Sequence, residues 1–510
     1  MEIVEIKNNE LRSGSIIVKN TLWNLGGQIV LIIVALFAIP ILINKLGTER
    51  FGVLTLAWMI IGYFSLFDLG LGRALTQVLA KNLGGQEKNN LTDIAWTAQL
   101  VILVLGVIGA IVLWLLSPLL VQSFLKIPQS LQSETLKSFH VLALSIPLLT
   151  SSAGLCGILM AYQRFDLINA VQIPMGAFSF LGPLFVLLFS TTLYPIIIIL
   201  VLGRLISWAA TFLLCVRVMP TTRRGISMQT NELLPLMRLG GWMTISNVIG
   251  PIMVYLDRFL IGSLLSVASV AYYATPYELV TKLWIVPGSV VSVLFPAFAY
   301  LLSRDKIHVT LILGRAVKYV FFALFPFTIL IMAFAHEGLD IWLGSEFANN
   351  SSHVLRWLAL GVFINSIAQV PFALIQGIGR PDLTSKLHLV EFPFYLLTLW
   401  FLINAFGIVG AAIAWVARVA VDAILLFIVT NKILEPHSPV VRRTVLIAGG
   451  TLLALVFNVI PNTFTVKICY LLLILVLTPS AWFFILNADE RLFLRDLLNA
   501  SLSSLRRKTW

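Results

Sequence analysis

The sequence is poor in the side chains from which active sites and metal centres are built. Its three cysteines are scattered through apolar stretches, which suits neither a disulfide framework nor a zinc site. Its six histidines are equally dispersed, and no HExxH, P-loop, nucleophile elbow or cysteine pair accompanies them. We therefore expect neither an enzyme nor a metal site.

Charged residues are also scarce, at 11% of the 510 residues, and acids are the rarer sign, with 23 Asp and Glu against 35 Lys and Arg. A net charge of +12 could indicate a nucleic-acid partner, but no basic patch with interleaved aromatics gathers on a polar segment. The positive charge is instead spread over short connections between apolar stretches. We expect no binding to nucleic acid.

What the sequence has in abundance is apolar length. Apolar residues make up 59% of the chain and the mean hydropathy is +0.96, values too high for a soluble globule. A helix needs ~20 mostly apolar residues to cross the hydrocarbon core of a bilayer. Fourteen such windows lie between Thr21 and Leu486. We predict an all-α polytopic membrane protein with about 14 transmembrane helices.

Lysine and arginine are distributed unevenly between the two sets of connections. If the N-terminus is cytoplasmic, 25 of the 35 fall on the inner side, 5 in outer loops and 5 within spans. This asymmetry satisfies the positive-inside rule, and miscounting a single span would destroy it. We therefore expect both termini in the cytoplasm.

A short motif repeats halfway along the chain. The run Leu25-Gly26-Gly27 opens the first span, and Leu239-Gly240-Gly241 opens the seventh. Six spans separate the copies, and an even number gives both copies one orientation, as in transporters built from two parallel lobes related by a pseudo-twofold axis. We expect a six-helix lobe over residues 1–217, a cytoplasmic linker over 218–236, a second six-helix lobe over 237–430, two additional C-terminal helices over 431–487 and a cytoplasmic amphipathic tail over 488–510 that lies on membrane lipids.

Five cations lie inside spans, although the chain otherwise keeps its charges between them: Arg204, Arg258, Lys282, Arg356 and Arg418. A cation at the centre of a spanning helix costs roughly 2.5–3.5 kcal/mol on insertion scales, so it usually faces a cavity or a partner. This pattern predicts a wet, positively charged interior and a cargo that carries negative charge.

The surroundings of these cations differ. Arg204 has no acid in its own span, whereas Lys282 follows Glu278 by four positions, the favourable order for a helical ion pair. Asp257 and Arg258 are consecutive and point about 100° apart, so we expect each to find a separate partner. Arg418 precedes Asp422 by four positions, and Arg356 lies near the outer end of its span, where long side chains reach the interface. The last two cations are predicted to be structural.

Four runs of sequence share a pattern with a known family: Lys19–Asn24, Lys45–Gly52, Phe67–Ala74 and Tyr255–Gly262. They closely resemble the polysaccharide transporters, the O-antigen and exopolysaccharide repeat-unit flippases of the multidrug/oligosaccharidyl-lipid/polysaccharide superfamily. The resemblance implies a V-shaped, MATE-like fold with an alternating-access cycle in a bacterial inner membrane. It also implies a polyprenyl-diphosphate-linked oligosaccharide as cargo, with glycan polymerase and export machinery as partners. We expect a monomer without a cofactor.

An anionic diphosphate would be bound by cations, and we predict Arg258, Lys282 and Arg204 for this role, with Asp257 and Glu278 beside them. Further candidates lie towards the inner ends of spans. Asp68 and Arg73, which flank Leu69-Gly70-Leu71-Gly72, are predicted to form a cytoplasmic gate, and Glu391, near His388, is predicted to take part in coupling to an ion gradient.

Two questions stay open on the sequence alone. A cation-coupled multidrug exporter of the same fold is the alternative function, although such an exporter should carry an acid in its first span and Thr21–Ile43 has none. The driving force could be a proton gradient, a sodium gradient, the membrane potential or consumption of product.

Overall fold

The computed structural model describes residues 14–65, 72, 75–76, 78–79, 91–219, 252–301, 306–434, 467 and 472. All regular structure within these residues is helical. Eight of the helical segments are long and apolar enough to cross a membrane. The chain is thus an all-α, multi-pass membrane protein, as predicted.

Apart from single helical positions between 72 and 79, the described residues of the first lobe form seven helices. They correspond to the first six predicted spans because the fourth span is bent into two: α1 Gly14–Leu46, α2 Thr48–Ser65, α3 Leu91–Leu119, α4 Gln129–Ala143, α5 Ser145–Ala161, α6 Phe165–Val186 and α7 Leu193–Val218. Within this lobe α3 packs on α5, α6 on α7, and α1 on α6. A π turn, Leu120–Phe124, continues α3 directly into the connection to α4.

The part of the second lobe that the structure describes also forms seven helices: α8 252–264, α9 Val267–Thr281, α10 Ile285–Leu301, α11 Lys306–Ala333, α12 Ala335–Leu343, α13 Ser345–Gly377 and α14 Pro381–Leu434. The buried α13 is its centre and packs against α9, α10, α11 and α14. The predicted linker over 218–236, the two added spans and the tail fall almost wholly outside the described residues and stay predictions.

Proline explains a break in the eighth predicted span. The chain tightens into a 3₁₀ turn at Lys282–Trp284, between α9 and α10. Pro287 has no N–H to donate to the carbonyl of Leu283, so the regular helical bond is missing there. The break therefore lies just before Pro287 and Gly288.

Glycine explains the turn inside α14. Gly407 has φ 60° and ψ −139°, a conformation closed to other residues, and it divides α14 into two antiparallel halves. At Gly410 a β-carbon would lie 1.8 Å from the carbonyl oxygen of Leu402, so only glycine fits the tight return. The two halves are the predicted eleventh and twelfth spans.

The lobes touch each other at the end where α1 finishes and α9 begins, which is the outer face in the predicted orientation. Gly52 of α2 lies so close to α9 that a β-carbon would meet the Val267 carbonyl oxygen at 1.9 Å. The Lys126 amide donates to the Gly262 carbonyl at 2.8 Å. These contacts join the lobes on that face.

One further contact between the lobes depends on a proline. Pro40 lies inside α1 and has no N–H, so the Leu36 carbonyl cannot receive the regular helical bond from the residue four positions on. The indole Nε1 of Trp342, on α12 of the second lobe, donates to that carbonyl at 2.7 Å. The proline thus creates the acceptor that the second lobe uses.

The lobes share a detail that no predicted motif contained. Arg164 donates from Nε and Nη2 to both oxygens of Asp166 at 2.9 Å, and Arg380 does the same to Asp382 at 3.0 and 3.2 Å. In each case the residue before the arginine has a positive φ, 57° and 78°. The forks lie 216 positions apart (164 to 380), close to the 214 between the Leu-Gly-Gly runs (25 to 239).

Candidate functional site

A cavity of about 230 Å³ lies between the two lobes. Its walls come from α1, α2, α6 and α7 on one side and from α8 and α9 on the other. The side chains that define its chemistry are Trp58, Phe180 and Arg204 of the first lobe and Tyr255, Arg258 and Glu278 of the second. Three predicted site residues, Arg204, Arg258 and Glu278, are therefore neighbours of one chamber, although they are far apart in the sequence.

Depth in the membrane follows from the position of each residue in its helix. Arg204 lies eleven residues into α7 and Glu278 eleven residues into α9, and both helices begin on the face where the lobes meet. At 1.5 Å per residue this is about 17 Å from that face, near the middle of a hydrocarbon core of about 30 Å. The chamber is therefore close to the bilayer midplane.

Arg258 is held rigidly in the chamber wall, with only 3% of its surface exposed. Its Nη1 donates to the Val254 carbonyl at 3.0 Å, one turn back along α8. Its guanidinium carbon lies 4.2 Å from the centre of the Tyr277 ring and 5.5 Å from that of Tyr255. Two aromatic faces thus position this cation, a contact that suits the planar guanidinium better than an ammonium group.

Asp257 corrects one expectation from the sequence. Adjacent side chains were expected to find separate partners, but Asp257 Oδ1 lies 3.6 Å from Arg258 Nη1. The pairing is possible because that oxygen also accepts the Arg258 backbone N–H at 2.7 Å, which turns the carboxylate along the helix. Its second oxygen accepts the Tyr273 hydroxyl at 2.7 Å. Asp257 is fully buried and is a support for Arg258 outside the chamber surface.

Glu278 and Lys282 form the predicted ion pair, with Lys282 Nζ 3.2 Å from Glu278 Oε2. Both side chains are substantially exposed, 37% for the lysine and 50% for the glutamate. Glu278 lines the chamber and Lys282 stands behind it, at the start of the 3₁₀ turn. The lysine can therefore change partner without leaving a buried charge.

Arg204 faces the chamber from the opposite lobe. Its Nε is buried and finds no hydrogen-bond partner among the described residues. In the part of the chain that the structure describes, the charged groups at and beside the chamber are three cations and two acids: Arg204, Arg258, Lys282, Asp257 and Glu278. The two acids pair with cations of their own lobe. The excess positive charge is consequently that of Arg204.

The remaining predicted residues lie elsewhere. Glu391 is buried inside the second lobe and not at the chamber, and Asp68 and Arg73 fall outside the described residues. Arg356, expected to extend to the interface, is instead 5% exposed. Their roles stay predictions. Among the described residues, no group of three or more His, Cys, Asp or Glu side chains is placed to hold a metal ion.

The sequence did not single out the aromatic side of the chamber. Trp58 of α2 packs edge-on against Phe180 of α6, with ring centres 5.2 Å apart, and both line the chamber. In a chain so rich in apolar residues, an aromatic facing a cavity has the same sequence signal as one facing lipid. Tyr255 also lines the chamber, whereas Tyr273 and Tyr277 lie behind it, in contact with Asp257 and Arg258.

Comparison with known proteins assigns the chain to a family. Residues 42–352, more than half of the sequence, match the family described as "Polysaccharide biosynthesis protein". The chain belongs to this family. It is also 30% identical over 411 residues to the "Putative O-antigen transporter" of Shigella flexneri, a match that covers 80% of this chain and 96% of that protein. The "Probable low-salt glycan biosynthesis flippase Agl15" of Haloferax volcanii is 25% identical over 185 residues, 36% of this chain and 39% of that protein.

Solved structures show the same fold for this member of the polysaccharide biosynthesis protein family. An inward-facing multidrug-resistance MATE transporter of the MOP superfamily superposes with a TM-score of 0.68 at 16% identity, over 81% of this chain and 94% of that one. The lipid II flippase MurJ in an inward closed conformation superposes with a TM-score of 0.67 at 14% identity, over 94% and 99%. The predicted MATE-like fold is confirmed.

Proposed function

We propose that this protein is a flippase that moves a polyprenyl-diphosphate-linked oligosaccharide from the cytoplasmic to the outer leaflet by alternating access. The observation that carries the proposal is the chamber between the lobes, in which Arg204 faces Arg258 near the bilayer midplane. We place the protein in a bacterial inner membrane with both termini cytoplasmic, where glycan polymerase and export machinery would take over the product.

The charge of the chamber supports an anionic headgroup. A diphosphate that enters the bilayer loses water, and the cost of its desolvation falls when guanidinium groups replace that water. Arg258 is already oriented by its aromatic neighbours, and Arg204 has a buried nitrogen without a partner among the described residues. The two arginines approach the chamber from different lobes, so an anion between them would bridge the lobes.

The size and lining of the chamber support a headgroup more than a whole glycan. About 230 Å³ is below the ~300–1,000 Å³ of pockets that enclose drug-sized ligands. A diphosphate with the first sugar stacked on Trp58 or Tyr255 suits this space, and a longer oligosaccharide needs the lobes to separate further. Such separation is what alternating access requires.

The exporter alternative is less well supported by the same geometry. A chamber for organic cations should present unpaired carboxylates, whereas Glu278 is paired with Lys282 and Asp257 is buried behind Arg258. The first span carries no acid. Fold similarity to a multidrug transporter, at 16% identity, concerns the backbone arrangement alone.

Export of glycan by a strain that depends on this protein tests the proposal. Arg204→Gln removes the excess charge of the chamber, and we expect at least a tenfold loss of export, about 1.4 kcal/mol or more, with polyprenyl-linked glycan accumulating on the cytoplasmic face. Arg217→Gln is the matched control, because Arg217 is an exposed arginine on the same helix.

Membrane abundance of each variant is measured in parallel, so that a folding defect is recognised. Normal export by Arg204→Gln would contradict capture of the anion at this residue. Drug sensitivity without glycan accumulation in a null strain would favour the exporter.

A further inference from the structure

A second group of ionisable side chains lies inside the second lobe, apart from the chamber. The antiparallel halves of α14 bring Glu391 of one half beside Asp422 of the other, within hydrogen-bonding reach. Each is only 6% exposed. The sequence suggested Arg418 as the partner of Asp422, and the structure gives that aspartate a carboxyl neighbour as well.

Two buried carboxyl groups in contact have a strict requirement. Carboxylate oxygens only accept hydrogen bonds, so a bond between two carboxyl groups needs a proton on one of them. Both oxygens of Glu391 and Oδ1 of Asp422 lack any other donor among the described residues. Two ionised carboxylates at this distance would repel each other in a medium of low dielectric constant.

The charged and titratable groups around the pair come mainly from α14 itself. Arg418 lies one turn before Asp422, and His388 Nε2 lies 3.9 Å from Asp422 Oδ1. On α13, the apolar ring of Phe372 stacks on His388 with ring centres 6.4 Å apart. On α8, the Asp257 carboxylate interacts with the positive charge of Arg418. One shared proton gives the pair a charge of −1, which Arg418 balances.

Contacts of Arg418 connect the carboxyl pair to α8, a helix that lines the chamber. Arg418 Nη1 lies 3.6 Å from the sulfur of Met253, and its guanidinium carbon lies 5.4 Å from the centre of the Tyr395 ring. Met253 is one turn before Asp257 on α8, the helix that carries Arg258. Tyr395 is 3% exposed, and its hydroxyl has no partner among the described residues. A change in the charge of the carboxyl pair alters the negative charge that Arg418 neutralises. The position of Arg418, and with it the packing of α14 on α8, is expected to change as a result.

We propose that Glu391 and Asp422 form a proton-binding site in the second lobe, which holds one shared proton and exchanges it with each transport cycle. The binding of the proton is independent of the proposed flippase function, and only its exchange with each transport cycle rests on that function. A sodium ion fits less well, because it wants several oxygen ligands and would compete with the neighbouring guanidinium and imidazole for the same carboxylates.

Infrared difference spectroscopy on the full chain in lipid nanodiscs, recorded between acidic and alkaline pH without cargo, tests the binding clause. Wild type should show the carbonyl band of a protonated carboxyl group that is lost as the pH rises. We expect this band to disappear in Glu391→Gln and in Asp422→Asn. Asp340→Asn, at an exposed carboxylate on α12, should keep it.

Glu391→Gln is expected to fold, because its amide N–H can donate to Asp422 as the shared proton does and leaves the charge of −1 for Arg418. Asp422→Asn with Glu391→Gln removes both charges and should be less stable than either single variant. An unchanged carboxyl band in both single variants would overturn the proposal. So would a band that responds to replacing choline chloride with sodium chloride at constant pH, since that would indicate a sodium site.

Export of glycan tests the exchange clause separately. Glu391→Gln fixes the protonated arrangement, so export should fall at least tenfold, while Glu391→Asp should retain part of it. Wild-type export by Glu391→Gln would overturn the exchange step. Because the spectroscopic experiment involves no cargo, failure of the proposed flippase function would leave the result on the carboxyl pair intact.

Discussion

The two lobes share a helical arrangement and the same arginine–aspartate fork, yet their interiors differ in charge. Among the described residues, the first lobe buries no charged side chain, and its buried polar groups are neutral, such as Thr97, Gln99 and Ser151. The second lobe buries five charged side chains: Asp257, Arg258, Arg356, Glu391 and Asp422. The repeat is therefore one of backbone architecture, while the ionisable groups are concentrated in one lobe.

This asymmetry suggests a division of labour. The first lobe supplies an apolar and aromatic wall with Arg204 as its one chamber cation among the described residues. The second lobe supplies the fixed charge Arg258 and the carboxyl pair that we propose to bind a proton. A coupling reaction confined to one lobe can still move both, because the chamber lies between them.

The largest effect should come from breaking a buried charge pair of the second lobe. Arg258→Met leaves Asp257 buried without its cation, and we expect the free energy of unfolding to fall by about 3–5 kcal/mol. Chemical unfolding of the purified protein in detergent measures this. The double variant Asp257→Asn, Arg258→Met should recover part of the loss, because asparagine can still accept from Tyr273. A loss below about 1 kcal/mol would place the pair with weak surface ion pairs.

A neutral polar network of the first lobe should be less sensitive. Gln99 Nε2 donates to the Ser151 carbonyl at 2.9 Å, and Trp208 Nε1 donates to the Ser151 hydroxyl at 2.8 Å. Gln99 Nε2 also donates to the Ser151 hydroxyl. Gln99→Leu removes both of these contacts together with a buried oxygen that has no partner among the described residues, so we expect a loss of only about 1 kcal/mol. The exposed Gln172→Leu is the control. A loss as large as that of Arg258→Met would remove the difference between the lobes.

The contact between the lobes at Trp342 should have a smaller effect on stability and a clear effect on access. Trp342→Phe keeps most of the ring but removes the hydrogen bond to Leu36, worth about 0.5–1.5 kcal/mol. Labelling of a cysteine introduced at Thr55, which lines the chamber, by an impermeant thiol reagent from outside should become faster. Unchanged labelling would show that the other contacts suffice to hold the lobes together.

The smallest effect should come from the shared forks. Asp166 is exposed and Asp382 is partly exposed, with 59% and 33% of their side-chain surfaces accessible. We expect Asp382→Asn and Asp166→Asn to leave the unfolding midpoint unchanged within error. Each variant serves as the control for the other. A marked loss in one lobe alone would mean that the two forks, despite their similar geometry, contribute differently to stability.

Local spacing predicted some of these features well. The Glu278–Lys282 pair follows from a separation of four on one helix, and the excess charge of Arg204 follows from the absence of an acid in its span. The division of α14 follows from the short gap between two apolar windows, residues 404–407. Each of these depends on residues that are close in sequence.

The features that sequence could not supply depend on how helices pack. Glu391 and Asp422 are 31 positions apart (391 to 422) and meet only because Gly407 folds α14 back on itself. The Asp257–Arg258 pair depends on a side-chain rotation that places the carboxylate over its own helix, which residue spacing does not encode. Trp58 and Phe180 come from different helices, and they meet only because α2 and α6 both border the chamber.

Pro40 ties the movement of the first helix to the behaviour of the opposite lobe. A helix normally supplies each carbonyl with the amide N–H four residues on, but Pro40 removes that donor for the Leu36 carbonyl oxygen. Once the Trp342 indole withdraws, that oxygen must be wetted, or the helix must bend until another donor reaches it. Separation of the two lobes on this face therefore requires either that water reaches the Leu36 carbonyl or that α1 bends at this position.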